Sequence, residues 1–363
     1  MTPNLPLPPN ATIGILGGGQ LGRMLALAAA RLGFDACILT PHEAAPASRV
    51  AASSLVAPYD DPVALAELVE RCAVITFEFE NVPAPVVERL VAAGSCVAPG
   101  PLALAVAQDR IAEKSFFINA GVACVPFAQI DRAEDIPAAL ARLGAPALLK
   151  TRREGYDGKG QVWVTHADEA QTAFTSIGGV PAILEGKAAF VREVSVIAAR
   201  SWTGEIAAYP LAENHHENGI LRKSVVPAQV SAQTEGQALA ISERLLARLD
   251  YVGVMGVEMF ELSDGRLLVN EIAPRVHNTG HWTLDACEVD QFEQHIRAIA
   301  GWPLGPTRPL ASAEMINLLG EEALDWQRLA ADPGARLWLY GKDGAAPGRK
   351  MGHVNRLTGP YPG

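Results

Sequence analysis

The sequence VEMFELSDGRLLVNE, residues 257–271, contains two apolar, strand-like runs on either side of the pair Asp264-Gly265. Asp-Gly is a favoured pair for the two-residue loop of a β-hairpin. If these two residues form the loop, Glu258 lies directly opposite Glu271 on the neighbouring strand. Directly opposed Cβ atoms are ~5 Å apart in such a pair. The stretch therefore predicts two carboxylates close together at one end of a hairpin.

The same register places Phe260 opposite Val269 and Leu262 opposite Leu267, so the two acids end an apolar face. Two like charges at this spacing destabilise a hairpin unless something compensates, and a hard divalent cation with bound phosphate oxygens would do so. Asn270 adds a further oxygen ligand next to them. Two alternatives remain open, namely solvated glutamates at a strand end and a bulge that breaks the register.

Strands and helices alternate in the first third of the chain, which predicts a parallel sheet with crossover helices. We therefore expect a Rossmann-like α/β domain over residues 1–107, ending after a Pro/Gly break at 98–101. The predicted strands are 12–16, 35–40 and 73–79, and the predicted helices are 20–32, 62–71 and 85–93.

The rest of the chain predicts an α+β arrangement with two further domains, 108–300 and 301–363. The last of these is small and has strand candidates at 314–319 and 336–340. The middle domain has strand-like runs at 124–130, 147–150, 182–185, 193–199, 206–210 and 221–226, with a helix at 233–249.

Composition excludes several classes of protein. The 363 residues are 49% hydrophobic and 19% charged, which indicates a folded chain, and the formal charge of −10 argues against a nucleic-acid-binding protein. Five scattered cysteines without a C-x-x-C pair fit neither a disulfide framework nor a zinc knuckle. No run approaches the ~18 apolar residues of a membrane span. We expect a cytoplasmic protein with no membrane partner.

Two glycine-rich segments are candidate phosphate sites. Residues 17–22 fit G-x-G-x-x-G between a strand and a helix, but the acid that would hold a ribose is missing after the second strand. Close helix-to-sheet packing explains these glycines equally well. Residues 150–161 place four cationic side chains around three glycines, which favours a flap over phosphates, with a solvated loop as the alternative. Gln161 stands where a Walker loop needs lysine.

Two polar loops complete the candidate features. Residues 273–282, APRVHNTGHW, bring a cation, two imidazoles and an amide together between Pro and Gly. His277 and His281 have helical spacing, but Gly280 and the lack of the H-E-x-x-H glutamate argue against zinc. Residues 347–353 form a small basic cluster that suits a phosphate and equally a solvated turn.

These features together resemble the ATP-grasp carboxylate–amine ligases. The closest similarity is to the N5-carboxyaminoimidazole ribonucleotide synthetase family, through residues 18–24 (GGQLGRM), 76–82 (TFEFENV), 155–161 (GYDGKGQ) and 273–282. The resemblance implies an ATP-grasp domain with a lid over 108–300. It also implies a reaction that carboxylates 5-aminoimidazole ribonucleotide with ATP and bicarbonate, through carboxyphosphate, in purine synthesis.

The resemblance also assigns roles to individual residues. Arg275, Asn278 and Lys350 would be catalytic, and Glu258 and Glu271 would bind Mg²⁺. ATP would contact Arg110, Lys150, Gly155, Tyr156, Asp157, Gly158, Lys159, Gly160, Gln161, Glu185, Gly186, Lys187, Ala188, Glu193, His216, Asn270 and Glu271. The aminoimidazole nucleotide would contact Gln20, Leu21 and Glu78, with its phosphate on Arg349 and Lys350.

The family resemblance further implies a homodimer. Three other functions stay open at this stage: a different ATP-grasp ligase, a nicotinamide-dependent oxidoreductase and a non-catalytic nucleotide-binding protein. The sequence of residues 275–282 argues against a different ATP-grasp ligase, and the missing ribose-binding acid argues against an oxidoreductase. The third would require that the two glutamates do not ligate a metal.

Overall fold

A computed structural model of the chain describes residues 5–155 and 158–362. The N-terminal part is a four-stranded parallel sheet in the order β3-β2-β1-β4, which confirms the predicted α/β domain. Its strands are β1 (Thr12–Leu16), β2 (Asp35–Thr40), β3 (Ser53–Val56) and β4 (Val74–Phe77), and its helices are α1 (Gln20–Arg31), α2 (Pro62–Arg71), α3 (Ala84–Ala92) and α4 (Pro101–Ala107).

Local sequence explains why these elements form. The Asp61 side chain accepts hydrogen bonds from the backbone N–H groups of Val63 and Ala64, which caps α2, and Pro62 fits its first turn. All four residues of β4 are buried, as expected of a parallel strand covered on both faces. Strand β3 and helix α4 were not predicted from the sequence.

A second, antiparallel sheet of four strands has the order β5-β8-β6-β7 and carries the glycine-rich segment between β6 and β7. Its elements are α5 (Arg110–Asn119), β5 (Phe127–Ile130), α6 (Ile136–Leu143), β6 (Ala147–Thr151), β7 (Gln161–Val164), α7 (Ala170–Ser176) and β8 (Ala182–Gly186).

The largest sheet is antiparallel, with nine strands in the order β14-β13-β9-β11-β12-β15-β17-β16 and β10 attached to β9. The predicted C-terminal strands join this sheet through β12 and β15. Its elements are β9 (Phe190–Arg200), β10 (Ile206–Ala208), β11 (Ala212–Glu217), β12 (Ile220–Val226), α8 (Ala232–Arg248), β13 (Gly253–Leu262), β14 (Leu267–Ala273), α9 (Thr283–Ala286), α10 (Gln291–Ile299), β15 (Ala311–Leu319), α11 (Trp326–Ala330), β16 (Arg336–Leu339) and β17 (Lys350–Pro360).

The β13–β14 hairpin confirms that Glu258 faces Glu271, but the predicted apolar pairs are wrong. Phe260 faces Leu268 instead of Val269, because the loop has three residues and the pairing shifts by one. The pairing shifts back at Asn270, which is the extra residue of a β-bulge between Glu258 and Met259 of the facing strand. Leu262 likewise does not pair with Leu267, because Leu267 faces Glu261.

No helix in the described part of the chain combines the length and apolar character needed to cross a membrane. The largest hydrophobic cluster lies between the N-terminal sheet, α10 and the nine-stranded sheet, and so joins the first domain to the second. Trp282, at the end of the polar loop 273–282, is completely buried in this cluster. The loop is therefore anchored in the core just after its polar residues.

Candidate functional site

A cleft of about 530 Å³ opens between the start of α1, the glycine-rich segment, the β13–β14 hairpin and the beginning of β17. The predicted site residues that line it are Gln20, Leu21, Arg110, Lys150, Gly155, Gly158, Lys159, Gln161, Glu193, His216, Glu258, Asn270, Glu271, Arg275, Asn278 and Lys350. Those that do not line it are Glu78, Gly160, Glu185, Gly186, Lys187, Ala188 and Arg349. Tyr156 and Asp157 lie outside the described residues.

The acid pair lies on the wall of this cleft. Burial, together with the nearby carboxylate of Glu271, raises the pKa of Glu258 to about 7. The Oδ1 atom of Asn270 is buried without a hydrogen-bond partner. A buried oxygen without a donor beside two crowded carboxylates suits a hard divalent cation such as Mg²⁺, which prefers oxygen ligands and keeps part of its shell for water and phosphate. The described residues contain no group of three or more His, Cys, Asp or Glu side chains placed to hold a metal.

Arg110 connects this acid pair to the glycine-rich segment. Its Nη1 atom donates to Oε2 of Glu271 at 3.2 Å, and its Nη2 atom donates to the carbonyl oxygen of Gly155 at 3.1 Å. Although burial opposes the charged form, Glu271 keeps the pKa of Arg110 above its usual value. One guanidinium therefore touches both the acid pair and the segment predicted to cover phosphates.

Lys150 lies near the end of strand β6 at the cleft and forms an ion pair with Glu185. Its Nζ atom lies 2.6 Å from Oε2 of Glu185, and the completely buried Lys114 lies 3.2 Å from Oε1. Burial alone would raise the pKa of Glu185, but the two lysines lower it to about 2. The Glu185 side chain therefore pairs with both lysines. The N–H of the next residue, Gly186, donates to the carbonyl oxygen of Pro126 at 2.9 Å.

Arg275 contacts an acid that the sequence argument did not single out. Its Nε atom donates to Oε2 of Glu80, and its Nη1 atom donates to the carbonyl oxygen of Val276 at 3.0 Å. Burial opposes ionisation of Glu80, yet Arg275 lowers the pKa of Glu80 to about 2. Glu80 lies in the motif 76–82, and this motif was the sequence signal that could have identified it as a site residue. The pair holds the guanidinium at the cleft wall.

The neighbouring polar loop is fixed by amide pairing. The Nδ2 atom of Asn278 donates to Oδ1 of Asn317 at 3.1 Å, and Asn317 returns the bond at 3.0 Å. Asn317 lies on β15, so the loop is tied to a strand of the C-terminal domain. This contact was not predicted, because nothing near Asn278 in sequence indicates a partner on β15.

His277 is a second residue that the sequence argument left as a structural histidine. It lines the cleft, and its Nε2 atom lies 3.6 Å from Oε1 of Glu258. Its Nδ1 atom is 2.9 Å from the hydroxyl of Thr279. Burial lowers the pKa of His277 well below its usual value, and Arg275 adds to the effect. A neutral imidazole therefore stands beside the acid pair.

The first glycine-rich turn holds a carboxylate of the protein itself. Oε1 of Glu78 accepts a hydrogen bond from the N–H of Gly19 at 2.6 Å, and Oε2 accepts one from the N–H of Gly22 at 2.9 Å. A helix N-terminus attracts a negative group, and here Glu78 from the end of β4 supplies it. Glu78 therefore occupies these two N–H groups, which are not available to a ligand phosphate in this structure.

Two further contacts shape the ends of the cleft. Glu193 and His216 lie 2.7 Å apart, between Oε2 and Nδ1. Burial lowers the pKa of His216, but the hydrogen bond to Glu193 and the negative charges of Glu258 and Glu193 together leave the pKa raised. Phe190 stacks on Phe260 with ring centroids 4.6 Å apart, and both rings line the cleft. Arg349 does not line the cleft, and its Nη1 atom donates to the carbonyl oxygen of Gly344 at 3.0 Å.

The chain is similar over nearly its whole length to one group of proteins. Residues 10–108 match the model of the ribonucleotide synthetase preATP-grasp domain, 115–292 that of the ATP-grasp domain, and 313–359 that of the phosphoribosylaminoimidazole carboxylase C-terminal domain. These matches confirm the predicted fold class. The N5-carboxyaminoimidazole ribonucleotide synthase of Brucella melitensis is 52% identical over 353 residues, which are 97% of each chain.

Solved structures give the same result. The Staphylococcus aureus N5-carboxyaminoimidazole synthetase complexed with ADP has a TM-score of 0.93 at 38% identity, covering 99% of this chain and 96% of that one. The Aspergillus clavatus enzyme in complex with ADP and 5-aminoimidazole ribonucleotide has a TM-score of 0.90 at 29% identity, covering 97% and 95%. The chain belongs to the N5-carboxyaminoimidazole ribonucleotide synthetase family of ATP-grasp enzymes.

Proposed function

We propose that this protein carboxylates 5-aminoimidazole ribonucleotide to N5-carboxyaminoimidazole ribonucleotide, using ATP and bicarbonate, in purine biosynthesis. The products besides the carboxylated nucleotide are ADP and phosphate. The observation that carries the proposal is the joint presence, in one cleft, of the acid pair and Arg275 in a chain of this family. The acid pair serves the nucleotide, and Arg275 serves the small anion that receives its phosphoryl group.

ATP occupies the part of the cleft between the glycine-rich segment and the β13–β14 hairpin. Arg110, Lys150 and the segment 155–161 hold its phosphates, because phosphoryl transfer depends on positioning and charge neutralisation. Mg²⁺ is held by Glu258 and Glu271 with Asn270 beside them, and when bound it supplies positive charge to the phosphate oxygens.

The nucleoside end of ATP lies towards β8 and β9. Residues 185–188 contact the adenine through their backbone groups, and Glu193 accepts hydrogen bonds from the ribose hydroxyls, with His216 next to it. The ion pair between Glu193 and His216 supports this role, since it fixes the carboxylate in one orientation.

Bicarbonate is a poor electrophile, and phosphorylation converts it to carboxyphosphate, whose leaving group is phosphate. Arg275 binds bicarbonate and carboxyphosphate, together with Asn278. Their positions support the proposal, because Glu80 and Asn317 hold both side chains before any substrate binds. A preorganised cation stabilises developing negative charge without reorganising during the reaction. Lys350, at the start of β17, lines the same cleft and completes the catalytic set.

The aminoimidazole nucleotide lies against the start of α1, where Gln20 and Leu21 face the cleft. Lys350 binds its phosphate together with Arg349, which exchanges its bonds to the carbonyl oxygens of Asp343 and Gly344 for the phosphate. We expect Glu78 to act on this side through the turn that it holds. The exocyclic amine attacks the carboxyl carbon, and the phosphate released from carboxyphosphate takes the amine proton. Closure of the glycine-rich segment keeps water from the carboxyphosphate meanwhile. We further propose that the protein is a homodimer in the cytoplasm. Light scattering of the purified protein tests the dimer, and fractionation of cells tests the location.

The test is ADP release with Mg²⁺-ATP and bicarbonate, with and without 5-aminoimidazole ribonucleotide. We expect strong stimulation by that nucleotide, and loss of the stimulation in Arg275→Ala. Arg266→Ala is the matched control, because Arg266 is an exposed arginine at the hairpin turn, paired with Asp264. Intact ATP binding without any stimulation would contradict the proposal and leave a different ATP-grasp ligase as the function.

A further inference from the structure

The edge of the nine-stranded sheet carries the acid pair, and helix α5 covers that edge. Strand β14 is the last strand of the sheet, so the backbone groups on its outer side have no neighbouring strand. Buried backbone N–H and C=O groups need partners. The N–H of Val269 donates to the carbonyl of Ala123 at 2.8 Å, and two further partners come from side chains of α5.

Two consecutive side chains of α5 hold the backbone on both sides of Glu271. Nζ of Lys114 donates to the carbonyl oxygen of Asn270 at 2.7 Å. Oε1 of Glu113 accepts from the N–H of Ile272 at 2.8 Å. Both side chains are almost fully buried. Arg110 lies one turn earlier on the same helix and contacts the Glu271 side chain itself, as residues three and four apart share one face of a helix.

The bulge is what makes these contacts significant. Because Asn270 is an extra residue in β14, the strand leaves its regular alternation there, and both Asn270 and Glu271 line the cleft. A bulge lacks part of the ladder that normally fixes a strand. At this point Glu113 and Lys114 replace the missing neighbour, since they bind the carbonyl before Glu271 and the N–H after it.

We propose that Glu113 and Lys114 are positioning residues, which fix the bulge so that Asn270 and Glu271 point at the metal bound with the nucleotide. The inference rests on the proposed function only in assigning the metal to Glu258 and Glu271. Neither Glu113 nor Lys114 needs to touch the metal or a substrate. Positioning requires only that each side chain is long enough to reach its backbone partner.

Two variants of Glu113 separate reach from charge. Glu113→Gln keeps an acceptor oxygen at the same reach and cannot ionise, whereas Glu113→Asp keeps an ionisable carboxyl group and withdraws the acceptor by one methylene. The measurement is Mn²⁺ affinity of the ADP-bound protein by electron paramagnetic resonance. Side chains that orient metal ligands typically change metal affinity by about 10–100-fold. We therefore expect about a tenfold or larger loss in Glu113→Asp and wild-type affinity in Glu113→Gln.

Controls distinguish positioning from a general effect on folding. Glu243→Asp makes the same change at an exposed position of α8 and should leave Mn²⁺ affinity unchanged. ADP affinity without metal should also be the same in the Glu113 and Glu243 variants, because their nucleotide contacts remain. Lys114→Met removes the contact to the Asn270 carbonyl together with the ion pair to Glu185, and it should weaken Mn²⁺ binding as well. Should it fail to fold, the two Glu113 variants still decide the question.

The opposite ranking of the two Glu113 variants would overturn the proposal, and so would unchanged Mn²⁺ affinity in Glu113→Asp. A lowered midpoint of thermal unfolding without a loss of Mn²⁺ affinity would show a purely structural role. Absence of Mn²⁺ binding in the wild-type ADP complex would overturn the metal assignment together with this inference. Failure of the proposed carboxylation is a separate result, because it appears as missing stimulation by the aminoimidazole nucleotide with metal binding intact.

Discussion

Replacing Glu78 by glutamine tests whether this carboxylate holds the first turn of α1. Gly19, at the N-cap of α1, has no side chain to cap the helix, and both Glu78 oxygens accept backbone N–H groups there. An amide nitrogen cannot accept a hydrogen bond, so one N–H of the turn loses its partner in Glu78→Gln. A buried unpaired donor costs about 1–3 kcal/mol, whereas the charge itself adds no net stability here, because burial disfavours it enough to raise the pKa of Glu78.

We therefore expect Glu78→Gln to lower the free energy of unfolding by about 2 kcal/mol. Burial raises the pKa of Glu78, with the two N–H groups opposing the effect, so the stability of the wild type should fall as the pH rises from the ordinary range of a glutamate towards that pKa, whereas this loss should be absent in Glu78→Gln. The assay is urea unfolding combined with hydrogen–deuterium exchange of the peptide that contains α1. Exchange in this peptide should accelerate in the variant.

The matched control is Glu88→Gln, an exposed position on α3. A difference of less than about 0.5 kcal/mol between Glu78→Gln and the wild type, the usual range for a surface substitution, would refute the reasoning. If the affinity for the aminoimidazole nucleotide then fell without any loss of stability, Glu78 would contact that substrate directly, as the family resemblance implies.

Three shorter predictions concern the other contacts of the cleft. Arg275→Met should lower the kcat of nucleotide-stimulated ADP release by about 10²–10³-fold, as loss of a preorganised donor does, and a steady-state assay measures this. Asn317→Leu leaves the buried amide of Asn278 unpaired and should cost about 2 kcal/mol in thermal unfolding. Glu193→Gln should lower the pKa of His216 in an NMR titration. Because the folded pKa of that histidine is raised, the stabilisation lost in the variant is largest below about pH 6.5 and vanishes as the pH rises through the folded pKa.

The N-terminal domain was predictable because its strands are buried on both faces and because capping residues that mark the start of a helix can be recognised in the sequence. Strand β4 is entirely buried, and Asp61 marks the start of α2. Strand β17 was not predicted, because two of its buried residues are polar. His353 and Asn355 are completely buried there, where Tyr340 bonds the imidazole and Asp285 accepts from the amide. A polar residue looks exposed in sequence whenever its hydrogen-bond partner is distant along the chain.

The same reason limits prediction of the site. Residue types and motifs indicated which side chains belong to it, but the partners that hold them are far away in sequence. Glu80 and Arg275 are separated by 195 positions, and Asn278 and Asn317 by 39. Such pairs depend on how the domains pack, and no local pattern encodes that packing.

The opposition of the two metal-binding candidates was predicted correctly although the hairpin loop was not. The loop is closed by Leu262, whose N–H binds the carbonyl of Arg266 at 2.9 Å, so it contains three residues with Gly265 at a φ of +80°. This loop alone would place Glu258 opposite Asn270, and strand alternation would turn Glu271 to the other face of the sheet. The bulge cancels the shift and brings both acids to the cleft. The acid pair is therefore a property of the bulge, so its geometry depends on whatever fixes the bulge, which in this structure is helix α5.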